Sequence, residues 1–204
     1  MDPRVKPEDD NLKCLFSLSF PQVLTRSRCI KQRESIRLMS ISTFLQMNLF
    51  SIAMSPEDKL KTLGIDLPGA PSPLGSYIPC VQTGNLIFVS GMLPLINGRL
   101  VRTGRVSEHV SVDEAREDAR TATINGLSVL KAHISSLDKV KRCVKITGYI
   151  ASDPNFTDQP KVLNAASDLI CEIFGEAGRH ARAAVGVNIL PLNSPVEIEF
   201  IFEI

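Results

Sequence analysis

From residue 196 to 203 the chain alternates without a break. Val196, Ile198, Phe200 and Phe202 are large and apolar, and Glu197, Glu199, Ile201 and Glu203 stand between them. Neighbouring side chains of a β-strand point to opposite faces, so this segment reads as a strand with one dry face and one charged face. A sheet built on such a strand must be covered on one side only. Two helical segments can supply the cover. Ser111 followed by Glu114 is a capping box. After it Val112, Ala115, Ala119, Ala122, Gly126, Leu127, Leu130 and Ile134 recur every three or four residues, which makes one apolar stripe. A second helix is expected over 159–174, stopping at Gly175.

The other extended runs fill in the sheet. Residues 77–83 and 86–90 flank Gly84-Asn85 and read as a β-hairpin. A turn and a short extended piece follow over 97–105, and strands are expected over 140–150 and 181–190. Ser55, Pro56 and Asp58 mark a short helix over 56–63 that stops at Gly64, and the Pro-, Gly- and Ser-rich stretch 66–76 is a loop. The order is hairpin, helix, strand, helix, strand, strand. It predicts an α/β (α+β) two-layer sandwich, a mixed sheet with two helices on one face.

Residues 1–53 lack this organisation: no period runs through them and they contain no glycine. Met54 stands directly before the Ser55 cap. The expectation is a disordered or mis-called N-terminal extension over 1–53 and a folded domain over 54–204. Charge is split in the same way. The first 53 residues carry eight Lys/Arg against five Asp/Glu, and the remainder carries 15 against 17. An acidic domain without Trp, and with Tyr only at 77 and 149, argues against a nucleic-acid partner. No apolar run approaches the ~18 residues of a membrane span. The five cysteines form no C-x-x-C pair and the three histidines have no ligand spacing, so no metal is expected. Cysteines used as small hydrophobes suit a reducing compartment. Residues 22–43, Ser- and Arg-bearing and nearly free of acids, leave a mitochondrial transit peptide open, but the acidic Glu8-Asp9-Asp10 argues against it and against a signal peptide, and the expected location is cytoplasmic.

Strand parity singles out two charged residues. In 181–190, Arg182 shares a face with Ala184 and Gly186, whose small side chains leave space beside a guanidinium. In 196–203 the charge-bearing face starts with Glu197. By itself such a face is more often solvated than catalytic. If the two strands formed a tight hairpin, Glu197 would pair near Asn188, and Arg182 would lie ~20 Å away in the same chain. A shared site would then need another strand order or a second subunit.

Gly75-Ser76-Tyr77, then residues 84–91 reading GNLIFVSG, then Ala181-Arg182-Ala183-Ala184-Val185, Leu190-Pro191 and Val196-Glu197-Ile198-Glu199 together resemble the RidA (YjgF/L-PSP) family, in a bacterial RidA-like branch. The resemblance runs from about residue 65 to 204. It implies a Bacillus chorismate-mutase-like fold and a homotrimer with inter-subunit clefts. It also implies cofactor-free hydrolysis of enamines and imines of the 2-aminoacrylate type to 2-keto acids and ammonia. On that resemblance Arg182 grips the substrate carboxylate as a bidentate fork, and Glu197 positions water and handles protons. Tyr77 lines the cleft, and Ser90 and Gly91 orient the ligand. Ala184 stands where the family often has cysteine, in the substrate-binding stretch. The same Arg182 also suits an inter-subunit salt bridge. Met92 and Pro79 stand where glutamine is common, which predicts a more apolar pocket. The implied activity is an enamine/imine deaminase. Its rivals are a non-catalytic trimeric keto-acid binder and, less favoured by the acidic domain, an endoribonuclease.

Overall fold

A computed structural model describes residues 54–71 and 75–204. The extension over 1–53, with Cys14 and Cys29, lies outside the described residues. The first element is helix α1 (Pro56–Thr62), opened by the Ser55 hydroxyl, which accepts the Asp58 N–H. Helix α2 (Val112–Ile134) begins with both halves of its capping box in place: Ser111 Oγ accepts the Glu114 N–H, and the Glu114 carboxylate accepts the Ser111 N–H. Helix α3 (Gln159–Phe174) covers the expected residues. The strands are β1 (Cys80–Thr83), β2 (Leu86–Met92), β5 (Arg142–Ala151), β6 (Ala181–Val187) and β7 (Val196–Glu203). The turn expected after β2 is a separate two-stranded ribbon of β3 (Leu95–Ile96) and β4 (Arg99–Leu100).

The five-stranded sheet has the order β1-β2-β7-β5-β6. Only β5 and β6 run parallel; every other neighbouring pair is antiparallel. Parallel neighbours need a crossover, and α3 supplies it between β5 and β6. The even residues of β7, and those of β5 beyond an irregularity at residues 143–145, point towards α2 and α3. Ile146, Ile150, Ile198, Phe200 and Phe202 are all buried there. The alternation along β7 is therefore a true one-sided strand, and the two-layer reading holds. Gly126 on α2 belongs to the same contact. A Cβ there would come within 2.7 Å of the Phe200 ring, so the glycine lets the helix settle on the sheet.

Of the two arrangements open for the last strands, the structure has the one without a tight hairpin. Strands β6 and β7 do not form a hairpin, because β5 is inserted between them. Residues 188–195 instead carry the chain over the end of β5, with left-handed backbone at Leu192 and Asn193. Strand β6 accordingly ends at Val187 rather than at residue 190. Strand β1 also starts later than expected, at Cys80. Residues 78 and 79 are held by β2 through Ser90, whose N–H donates to the Pro79 carbonyl (2.9 Å) and whose hydroxyl donates to the Ile78 carbonyl (3.0 Å). Among the described residues no helix is long and apolar enough to cross a membrane. Cys80 and Cys143 are buried free thiols, and burial pushes the Cys143 thiol up to about 12. Cys171 is half-buried.

Candidate active site

The site starts from an irregularity in β2. Val89 pairs with Phe200 and Met92 with Ile198, so Ser90 and Gly91 together oppose the single residue Glu199. This extra residue is a β-bulge, which bends the strand and re-aims its side chains. Ser90 and Gly91 both turn to the open face of the sheet, and Met92 returns to the core, only 5% exposed. The expected role of Met92 is corrected by this. It packs inside and lines no part of the cleft, so it does not make the pocket more apolar.

Gly91 makes room for Glu197. A Cβ at Gly91 would overlap Oε1 of Glu197 and lie 2.7 Å from its Cδ. The Glu197 side chain therefore lies directly over the bulge backbone. Around it is a cleft of about 340 Å³ lined by Gly75, Tyr77, Gly91, Leu93, Pro191 and Glu197. Burial pushes the Glu197 carboxyl above the usual carboxylate range, and Glu199 on the same strand face adds to this. The Glu197 carboxyl has no hydrogen bond or ion pair to another described residue. Glu199, two residues on, instead accepts the Tyr149 hydroxyl at 3.2 Å. Burial, and then Glu199, pushes the Tyr149 phenol up. The Tyr77 ring stands beside Gly75 and is 45% exposed.

Of the residues singled out from the sequence, Tyr77, Gly91 and Glu197 come together here. Ser90 is next to them and anchors the 78–79 segment that carries Tyr77 to the bulge. Pro79 contributes its carbonyl to that anchor and is not a lining residue.

Arg182 and Ala184 are elsewhere. Arg182 pairs with Ile146 and Ala184 with Gly148, and these β5 positions face the helices. Arg182 therefore projects to the helix side of the sheet, not to the face that bears Glu197. Its Nη1 donates to Asn164 Oδ1 (2.7 Å) and to Ser167 Oγ (3.1 Å), both on α3. Ala184 packs against the core. The space expected beside Gly186 is filled as well, since a Cβ there would lie 2.7 Å from Nε2 of Gln159. Within one chain Arg182 and Glu197 are separated by the thickness of the sheet. They are also about 10 Å apart across it, two strand spacings, and about 10 Å along it, three residues.

Some functional neighbours escaped the sequence reading. Asn164 and Ser167 carried a signal, because a spacing of three puts them on one face of α3. Leu93 and Pro191 did not, because their place in the cleft depends on the bulge and on the crossing loop. A larger depression of about 520 Å³ lies between α1, the loop after it and α2. The Lys131–Glu57 ion pair (2.7 Å) on its wall is a structural joint: Glu57 also accepts the Leu137 N–H at 3.0 Å. Among the described residues no group of three or more His, Cys, Asp or Glu is placed to hold a metal ion.

Known proteins resemble this chain in sequence and fold. Residues 57–204 match the family described as "YjgF/chorismate mutase-like, putative endoribonuclease". Protein TCP17 of Trypanosoma cruzi is 41% identical over 146 residues, covering 71% of this chain and 91% of its own. The 2-iminobutanoate/2-iminopropanoate deaminase of Dermatophagoides farinae is 34% identical over 148 residues, covering 72% and 97%. Among solved structures, protein Atu1372 of Agrobacterium tumefaciens, of unknown function, superposes with a TM-score of 0.67. It is 43% identical, with 73% of this chain and 93% of that one covered.

Proposed function

Because the chain belongs to the RidA (YjgF/chorismate mutase-like) family, we propose that it is an enamine/imine deaminase. It hydrolyses reactive enamines and imines derived from amino acids, of the 2-aminoacrylate type, to 2-keto acids and ammonia; an enamine enters as its imine, after its methylene carbon gains a proton and its nitrogen loses one. The observation that carries this reading is the Glu197 carboxyl. It is raised by burial, has no partner among the described residues, and lies over Gly91 in a cleft beside Tyr77. A carboxyl tuned upwards and left unpaired is suited to give and take protons.

In this reading Glu197 takes a proton from water as its oxygen attacks the imine carbon, and the C=N electron pair passes to nitrogen. Nitrogen is protonated, the C–N bond of the carbinolamine breaks, ammonia leaves, and the hydroxyl proton departs as C=O forms. Arg182 of a neighbouring subunit holds the substrate carboxylate, because the same chain's Arg182 is on the wrong face of the sheet. Its position on the exposed edge strand β6 supports this. The proposed assembly is therefore a homotrimer whose sites take residues from two chains. No cofactor enters these steps. The deaminase named in Dermatophagoides farinae supports the reaction class.

The test is a coupled assay in which a dehydratase generates 2-aminoacrylate. Added protein should speed 2-keto acid release, and Arg182→Ala should remove the acceleration. No acceleration at large protein excess would overturn the proposal. The keto-acid-binder reading rested on Met92, which is in the core, and so loses its motive. The endoribonuclease reading is the less favoured one, because the single charged residue that one chain contributes to the cleft lining is an acid.

A further inference from the structure

Arg182 is held by more than its two direct partners. Ser167 Oγ is 3.0 Å from Nε2 of His180, and Nδ1 of His180 is 2.6 Å from the Gly178 carbonyl oxygen. A carbonyl can only accept, so Nδ1 carries the ring proton. In the tautomer with that one ring proton, Nε2 accepts and the Ser167 hydroxyl donates to it. With its one proton directed at His180, Ser167 is left with lone pairs for the Nη1 of Arg182. The chain runs one way, from Arg182 to Ser167 to His180 to the Gly178 carbonyl, and each bond polarises the next. Asn164 Oδ1 accepts the other Nη1 hydrogen.

This accounting restricts how the guanidinium can bind. A carboxylate can lie on its end, across Nη1 and Nη2, or on its side, across Nε and Nη2. Both Nη1 hydrogens are in use, one on Asn164 and one on Ser167. Nε and Nη2 have no partner among the described residues. We infer that Asn164, Ser167 and His180 form a clamp that turns the Nε–Nη2 edge of Arg182 outward, so that a 2-keto or 2-imino acid carboxylate is bound side-on. The inference rests on the reading of Arg182 as the carboxylate anchor and adds three positioning residues to it. None of the three touches the ligand. They act by fixing the plane of the guanidinium before the ligand arrives, which lowers the ordering cost of binding.

Binding of 2-oxobutanoate and of its neutral amide to the full-length protein tests the clamp. Asn164 and Ser167 are both in the interior of α3, where alanine is the better helix former, so the alanine variants should fold. Thermal melting checks this. Asn164→Ala and Ser167→Ala should each weaken 2-oxobutanoate binding by roughly ten- to hundredfold, the range of one hydrogen bond to a charged group, and leave amide binding unchanged. Ser167→Thr keeps the hydroxyl and should restore binding. In labelled protein the Arg182 Nε–H resonance should shift on saturation with 2-oxobutanoate. If Arg182→Ala loses binding while both alanine variants bind as the parent does, the clamp is wrong and the anchor stands. If 2-oxobutanoate binds and the Nε–H resonance does not move, side-on binding is wrong. Unchanged binding in Arg182→Ala removes the anchor and the clamp together.

Discussion

Glu197 is the residue where sequence and structure meet most closely. Its parity on β7 puts it on the open face, but parity alone describes Glu199 and Glu203 equally well. What separates them is partners. Glu199 accepts Tyr149 and Glu203 accepts the Asn85 amide at 2.9 Å, whereas Glu197 lies over Gly91 with no partner among the described residues. Two outcomes follow for single residues. Glu197→Gln should abolish imine hydrolysis. Its effect on stability should depend on pH. A carboxyl raised on folding contributes stability that is fully present below its unfolded value and is lost as pH rises through its folded value. The glutamine variant should therefore match the parent at about pH 4, near the unfolded carboxyl value, and melt at a higher temperature than the parent at neutral pH. Melting curves at both pH values check the sign. Gly91→Ala should displace the Glu197 carboxylate, since the added Cβ overlaps it. Deaminase activity should fall by about tenfold or more, the scale for a misplaced acid–base group. Far-UV circular dichroism should be unchanged.

At the scale of elements, much was legible. The capping box at Ser111, the stripe along α2 and the alternation of β7 are local patterns, and local patterns survive into the fold because hydrogen bonding and burial both act on them. Gly126 is an instructive exception. In a helix interior, glycine costs about 1 kcal/mol relative to alanine, so on propensity alone Gly126→Ala should stabilise α2. The Phe200 ring edge, 2.7 Å from the new Cβ, opposes that gain. Overpacking a filled core costs typically 1–3 kcal/mol, so the steric term is expected to win. The variant should lose up to about 2 kcal/mol, measurable by urea unfolding. A stabilised variant would show that α2 can lift off the sheet without cost. The β2 bulge was less legible. Residues 86–90 alternate well enough to read as a plain strand, and nothing local shows that Ser90 and Gly91 together face one residue of β7. The bulge exists through its pairing partner.

At the scale of the whole molecule, the strand order controls the site. Inserting β5 between β6 and β7 moves Arg182 away from Glu197, and the parallel register with β5 turns it to the helix face. A site that needs both residues must then draw on two chains. Mixing tests this directly. Arg182→Ala and Glu197→Gln protein should each be inactive alone. After joint refolding into mixed trimers, about a quarter of the sites should combine an intact Arg182 with an intact Glu197, given random assembly of a cyclic trimer. Activity should recover to roughly that fraction. Light scattering should report three chains per particle. No recovery from proven mixed trimers would exclude a site shared between chains.

The sequence by itself determined the helices, the one-sided strands, the two-layer architecture and the identity of the charged residues worth watching. These follow from periodicity and capping, which depend on residues close together in the chain. Only the tertiary structure decided which face Arg182 occupies, that Met92 is in the core, and that Gly91 carries Glu197. Each of these depends on strand order, register and a bulge. Those are set by pairing between segments that are distant in sequence, where no local pattern records which partner a strand will find.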